Sequence, residues 1–191
     1  MKRELKIRPE EKIFLFIGLL NWRKGIDLLI QAAHLLRDKP LRFLIVGHGP
    51  QESIFKKEIQ KLKLDDRVQF MGNTTKVGLF YSLSDVFILP SRGEGLPGVI
   101  MEAMAYGKPI IASNIPCIPE LVTENYNGQL FQDGNVLDLV NKIEKAINEG
   151  DFSTREKGEN SLKKIQEFDW EKVKNQYLSF YEEMISHACG K

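Results

Sequence analysis

"DVFILPSRGEGLPGVIMEAMAYGKPIIAS" (residues 85–113) carries a strand, a loop, a helix and a second strand in one short run. Residues 85–90, apolar from Val86 onward, read as a strand buried on both faces. Gly93, Gly95, Pro97 and Gly98 read as a loop, and the segment from Gly98 to Tyr106 reads as a helix. "KPIIAS" (108–113) is again a buried strand. Two strands joined through a helix lie parallel in one sheet. The loop and helix also carry two glutamates, Glu94 and Glu102, with seven residues between them.

The same alternation runs outward in both directions. "KIFLFIG" (12–18), "RFLIVG" (42–47), "VQFMG" (68–72) and "NGQLFQ" (127–132) are further strands. Between them, Ile26, Leu29, Ile30, Ala33 and Leu36 recur at helical spacing. Pro50 suits the first turn of a helix over 50–62, and helices are predicted at 75–82 and 135–150. The pattern predicts an α/β fold: a doubly wound, Rossmann-like, mostly parallel sheet of about six strands with helices on both faces. Residues 1–11 read as a leading segment, 12–166 as the sheet domain and 167–191 as a closing helix and tail. A polar run over 149–161 separates the body from that helix. Trp170, Val173, Tyr177, Tyr181 and Met184 share one face of the helix, which either covers the domain's own core, the ordinary reading, or meets a partner domain.

A length of 191 residues with 42% hydrophobic residues fits one domain with a real core. A net charge of +1, from 27 basic and 26 acidic residues, gives no reason to expect a nucleic-acid partner. Cys117 and Cys189 form no framework and read as reduced thiols, Cys189 in a frayed tail. No apolar run reaches the roughly 18 residues of a membrane span, and the N-terminus lacks a signal-peptide core. The expectation is a cytoplasmic protein.

In such a sheet ligands sit beyond the carboxyl ends of the strands. Three of those ends carry glycine pairs or glycine–proline, which expose N–H groups at helix starts, the geometry for phosphate. The fingerprints of nicotinamide binders and of phosphate-loop ATPases are absent. There is no Asp-x-Asp pair, and His34, His48 and His187 lack ligand spacing, so the expected site is metal-free. Arg23 and Lys24 stand at a helix start, where the macrodipole disfavours cations by ~0.3–1 kcal/mol. An anion shared between Lys24 and the helix would justify the placement. Glu102 has an ordinary explanation as a dipole-favoured acid near a helix start. Its carboxylate also suits the paired hydroxyls of a ribose or a sugar.

At this point the sequence resembles the retaining glycosyltransferases of family 4, which have the GT-B architecture. Their donor motif appears here as Glu94…Glu102, "EAMA" (102–105) and "GKP" (107–109). "KG" (24–25), "VGHGP" (46–50), "SDVFILPS" (84–91) and "IPELVTENYNGQLF" (118–131) agree in order, and residues 168–184 look like the family's closing helix. The resemblance implies a domain that binds a UDP- or GDP-hexose without a metal or other cofactor. It places Glu94 against the donor sugar, Lys24 on the diphosphate and Glu102 on the ribose. It gives the N–H groups of Gly95, Leu96, Gly98 and Val99 to sugar and phosphate, lines the base side with His48 and Asn73, and counts Gly18 among the donor-binding positions.

One position departs from the pattern: Gly18 is followed by Leu19, where the family often has a second diphosphate-binding arginine. Arg23 is the expected substitute. The resemblance further implies that this is the donor-binding half of an enzyme whose acceptor-binding N-terminal domain lies elsewhere. It leaves room for docking of the full enzyme at the inner face of a membrane. A sugar-nucleotide epimerase half and a non-catalytic nucleotide-sugar-binding module are the competing readings.

Overall fold

β1 (Lys12–Ile17) pairs with β2 (Leu41–Val46) along its whole length, Lys12 opposite Leu41 and Ile17 opposite Val46. On its other side β1 pairs with β4 (Val86–Leu89), Phe14 opposite Val86. A strand flanked on both edges and both faces must be apolar throughout, and every β1 residue after Lys12 is buried. β3 (Val68–Gly72), β5 (Ile110–Ser113) and β6 (Gly128–Phe131) complete a six-stranded sheet of order β3-β2-β1-β4-β5-β6. All its pairings are parallel. The computed structural model describes residues 2–189, the side chains of Gln176, Ser186, Ala188 and Cys189 excepted. The reading of Cys189 as a reduced thiol thus rests on a side chain outside that description.

Right-handed crossovers dictate where the helices go. α1 (Ile26–Leu35) packs against α2 (Glu52–Lys61) and α6 (Val136–Asn148) on one face. α3 (Val77–Leu83) and α4 (Gly98–Ala105) follow strands that step the other way, and α4 packs against α7 (Asp151–Ile165). α1 buries Ile26, Leu28, Leu29, Ile30, Ala32 and Ala33, the apolar positions of the helical period. Phe14 and Phe43 meet at the sheet centre with ring centroids 5.6 Å apart. Truncating either to alanine would cost about 3–5 kcal/mol.

Several elements differ from the sequence reading. Pro50 lies ahead of α2, which begins at Glu52. A short helix, α5 (Ile118–Leu121), follows β5. Most of the polar run 149–161 is helical, in α7, which buries only Lys157, Gly158 and Ser161. A Cβ on Gly158 would sit 2.2 Å from the Gly107 carbonyl oxygen, so glycine is what lets α7 approach the end of α4. The closing helix, α8 (Trp170–Cys189), does not lie on the domain's own core. Trp170, Tyr177, Tyr181 and Met184 stand exposed, as do Leu178, Phe180 and Ile185. Among the described residues no helix is long and apolar enough to cross a membrane.

Below the sheet, Glu11 is an acid with its side chain 1% exposed, paired with the buried Arg42 at 3.0 Å. Burial alone would raise its pKa. The Arg8 backbone N–H and the Arg42 guanidinium overcome that and hold it below the usual carboxylate range. Because the native value is depressed, the stabilisation is full above the ordinary carboxylate pKa. It is lost as pH falls through the native value. Glu11→Gln leaves Arg42 buried without its counter-charge. It should cost about 3 kcal/mol in urea melts at pH 7, with the gap to wild type closing as the pH is lowered through the acid limb. An unchanged gap at all pH values would sink this assignment.

Candidate functional site

The strand order reverses between β1 and β4, so the loops leaving their carboxyl ends diverge and open a crevice. Residues 18–25 form the first wall. Asn21 Oδ1 accepts from the Lys24 N–H at 3.1 Å and caps a 3-10 turn over Trp22–Lys24. Gly25 follows in the left-handed region, φ 71°, and a Cβ there would fall 1.9 Å from the Pro90 carbonyl oxygen. Glycine at this position lets the wall close onto the end of β4.

The loop after β4 forms the second wall. Lys24 Nζ and Glu94 Oε1 meet at 2.6 Å across the crevice, their side chains 16% and 7% exposed. Two residues expected at the chemistry are thus one ion pair. Arg92 adds a second cross-link: its Nη1 and Nη2 donate to the two Asp27 carboxylate oxygens at 2.9 and 2.7 Å. Asp27 holds the guanidinium firmly protonated; that hydrogen bond outweighs burial. The loop after β5 comes in at Cys117, whose Sγ–H lies 3.8 Å from the Glu94 carbonyl oxygen. Burial, then Glu94 and Glu120, push the Cys117 thiol above its ordinary pKa, which keeps it protonated.

α4 opens on this crevice with no acidic residue in its first turn and no capping side chain. Among the described residues, none accepts from the N–H groups of Gly95, Leu96, Gly98 or Val99. A Cβ on Gly95 or Gly98 would meet nothing within 4 Å, so protein packing does not require those glycines. The result is a helix N-terminus with its donors and its partial positive charge free for an anion.

Glu102 is too far along α4 for the dipole to explain it. Its Oε2 accepts from the Tyr81 hydroxyl at 3.0 Å, and that hydroxyl also lies 3.1 Å from the Val99 carbonyl oxygen. Tyr81 is fully buried. It stacks on Tyr106 with centroids 5.1 Å apart. Burial and the adjacent carboxylate push its phenol well above the usual range, so it remains a donor. Gly18, Leu19, Gly47, His48, Asn73 and Val77 line a cleft of about 190 Å³ at the ends of β1, β2 and β3. Gly18, His48 and Asn73 therefore share one hollow, and Leu19 gives it an apolar edge. Arg23 is exposed, and its carbonyl accepts from the Arg92 N–H at 2.8 Å.

Tyr81, Arg92 and Asp27 escaped the sequence reading. Tyr81 carries no motif. An acid two residues past "KG" and an arginine two before Glu94 were the available signals for the other pair.

The model of the glycosyl transferases group 1 family matches residues 1–164. The chain belongs to that family. An uncharacterized glycosyltransferase of Haemophilus influenzae is 37% identical over 142 residues, 73% of this chain and 40% of that protein. The fold is shared with Staphylococcus aureus TarM, solved with fondaparinux, alpha-GlcNAc-glycerol and UDP, at a TM-score of 0.83 and 28% identity. That match covers 89% of this chain and 35% of TarM. Anabaena Alr3699/HepE, in complex with UDP-glucose, matches at a TM-score of 0.84 and 25% identity, over 95% of this chain and 51% of that one. The chain thus spans about half, or less, of the length of these proteins.

Lys24→Met would leave Glu94 without its counter-charge inside the crevice. The expected cost is about 2 kcal/mol in urea denaturation, below the range for a fully buried pair because both side chains retain some exposure. Adding Glu94→Gln should recover most of it. Simple addition of the two losses would show that the pair is not coupled.

Proposed function

We propose that this chain is the donor-binding half of a retaining, metal-independent glycosyltransferase that transfers a hexose from a UDP- or GDP-sugar. The observation that carries the reading is the convergence on one crevice of the Lys24–Glu94 pair and the unpartnered N-terminus of α4. A departing nucleoside diphosphate gains negative charge as the anomeric carbon becomes oxocarbenium-like. Lys24 and the α4 amides are cations and donors fixed in advance where that charge grows. An ammonium has three protons, and Glu94 accepts one of them, so two remain for phosphate oxygens. Glu94 would accept from a sugar hydroxyl, Glu102 from the ribose diol, and the Gly18–His48–Asn73 cleft would hold the base. TarM and HepE, solved with UDP and UDP-glucose, favour UDP over GDP as the first ligand to try.

The acceptor would be read by a second domain of the kind that the longer relatives have room for. The exposed apolar side chains of α8 are the surface we assign to it. Alone, the chain should bind nucleotide and transfer nothing. Calorimetric titration with UDP, GDP and ADP tests the reading. Binding should be strongest for UDP. Glu102→Ala should weaken UDP and uridine alike, by about tenfold for one charged hydrogen bond. Lys24→Ala should weaken UDP and spare uridine. Absence of binding to all three nucleotides, or sugar transfer by the chain alone, would overturn the assignment.

A further inference from the structure

We propose that Arg92 is a positioning residue of the donor site, a strap that holds the loops after β1 and β4 in the register at which Lys24 meets Glu94. The proposal rests on the donor-site reading above and deepens it.

The hydrogen bonds and the ring contact of the Arg92 side chain go to residues that bracket Lys24, with the Asp133 carboxylate adding a weaker charge interaction from the loop after β6. The guanidinium takes both Asp27 oxygens, at 2.9 and 2.7 Å. Its Nη1 also reaches the Trp22 carbonyl oxygen at 2.5 Å. Its plane lies over the exposed Trp22 ring, 5.5 Å from the centroid. Its own backbone N–H donates to the Arg23 carbonyl oxygen at 2.8 Å. Residues 22, 23 and 27 are thus tied to a single arginine that stands two positions before Glu94. Asp27 is a sound anchor because it sits in the first turn of α1, where the macrodipole favours an acid.

The loop beyond Arg92 needs such an anchor. Gly93, Gly95 and Gly98 give it wide backbone freedom, and ordering glycine costs more conformational entropy than ordering any other residue. A fixed entry point settles part of that cost before ligand arrives. The Arg92 charge is already matched by Asp27, with side chains 22% and 29% exposed. Its part is therefore geometric, and it does not replace the arginine absent at position 19. Only a planar fork can span both Asp27 oxygens while stacking on an indole, so lysine cannot substitute.

Two consequences separate a strap from a simple phosphate-binding cation. Arg92→Lys keeps the charge and loses the fork, so a strap fails and a cation survives. Asp27→Asn frees the Arg92 charge, so a strap weakens ligand binding and a cation strengthens it. The base cleft and Glu102 lie outside the strap, so uridine serves as an internal control.

The experiment is calorimetric titration of UDP and uridine into the wild-type chain, Arg92→Lys, Asp27→Asn and the double variant, with a thermal melt of each. Expected are a loss of about tenfold for UDP in each single variant, a uridine change below about twofold, and a double variant no worse than the singles. Melting temperatures should stay within about 4 °C of wild type. The intrinsic emission of Trp22 should change in Arg92→Lys, since the guanidinium leaves its ring. UDP affinity that is unchanged in Arg92→Lys, or raised in Asp27→Asn, would overturn the strap. So would a uridine loss that keeps pace with the UDP loss. A wild-type chain that binds no UDP would instead remove the UDP-site reading itself, and the strap with it.

Discussion

The right-handed crossover is the constraint on which the rest depends. From β1 the chain steps to β2 and β3 in one direction, then returns past β1 and steps through β4, β5 and β6 in the other. At the one point where the direction changes, no connection bridges β1 and β4. α1 and α4 leave that point on opposite faces, yet both start beside it. Two helix N-termini thus converge on one crevice, and their fields add. The site follows from the topology; side chains only decide what it holds.

Those side chains divide the two N-termini unequally. α1 carries Asp27 in its first turn, and Arg92 neutralises that carboxylate in turn. α4 carries no acid in its first turn and has Pro97 at the cap, which can offer no side-chain acceptor. The residual positive field lies at α4, above Gly98. Lys24 adds to it and Glu94 subtracts from it, so the empty crevice is close to neutral, with its donors unspent. Desolvating a dianionic group there costs less than it would against bare carboxylates, because Glu94 and Asp27 each already have a cation.

The sheet was legible because its strands are mostly apolar runs between turn residues, as burial of the central strands on two faces demands. Glu94, Glu102 and Lys24 were legible as a motif, and the meeting of Lys24 with Glu94 followed from strand ends. What stayed hidden shares one physical property: it depends on what a residue touches, not on periodicity. α7 buries Lys157, Gly158 and Ser161, so it shows no apolar stripe. α8 has an apolar stripe that reads as a core face, yet Tyr177, Tyr181 and Met184 are exposed. Periodicity reports that a face is apolar; it cannot report what covers it. Tyr81 looks like any helix aromatic until its hydroxyl is seen beneath Glu102. Arg92 and Asp27 lie 65 positions apart and pair only because their strands are neighbours.

The polar run also shows how a site is braced from behind. α4 must hold its first turn at the crevice and Glu102 against the Tyr81 hydroxyl, while its far end soon turns into β5. α7 fixes that far end: Gly158 lies against Gly107, and Ser161 Oγ–H donates to the Lys108 carbonyl oxygen at 2.8 Å. A larger residue at 158 would push α7 off the Gly107 backbone and tilt the helix whose other end offers the amides. With backbone against backbone, a single added methyl has no room, since it would fall 2.2 Å from the Gly107 oxygen. The glycine and the serine, which made this stretch look like a linker, are therefore what aim α4 at the crevice.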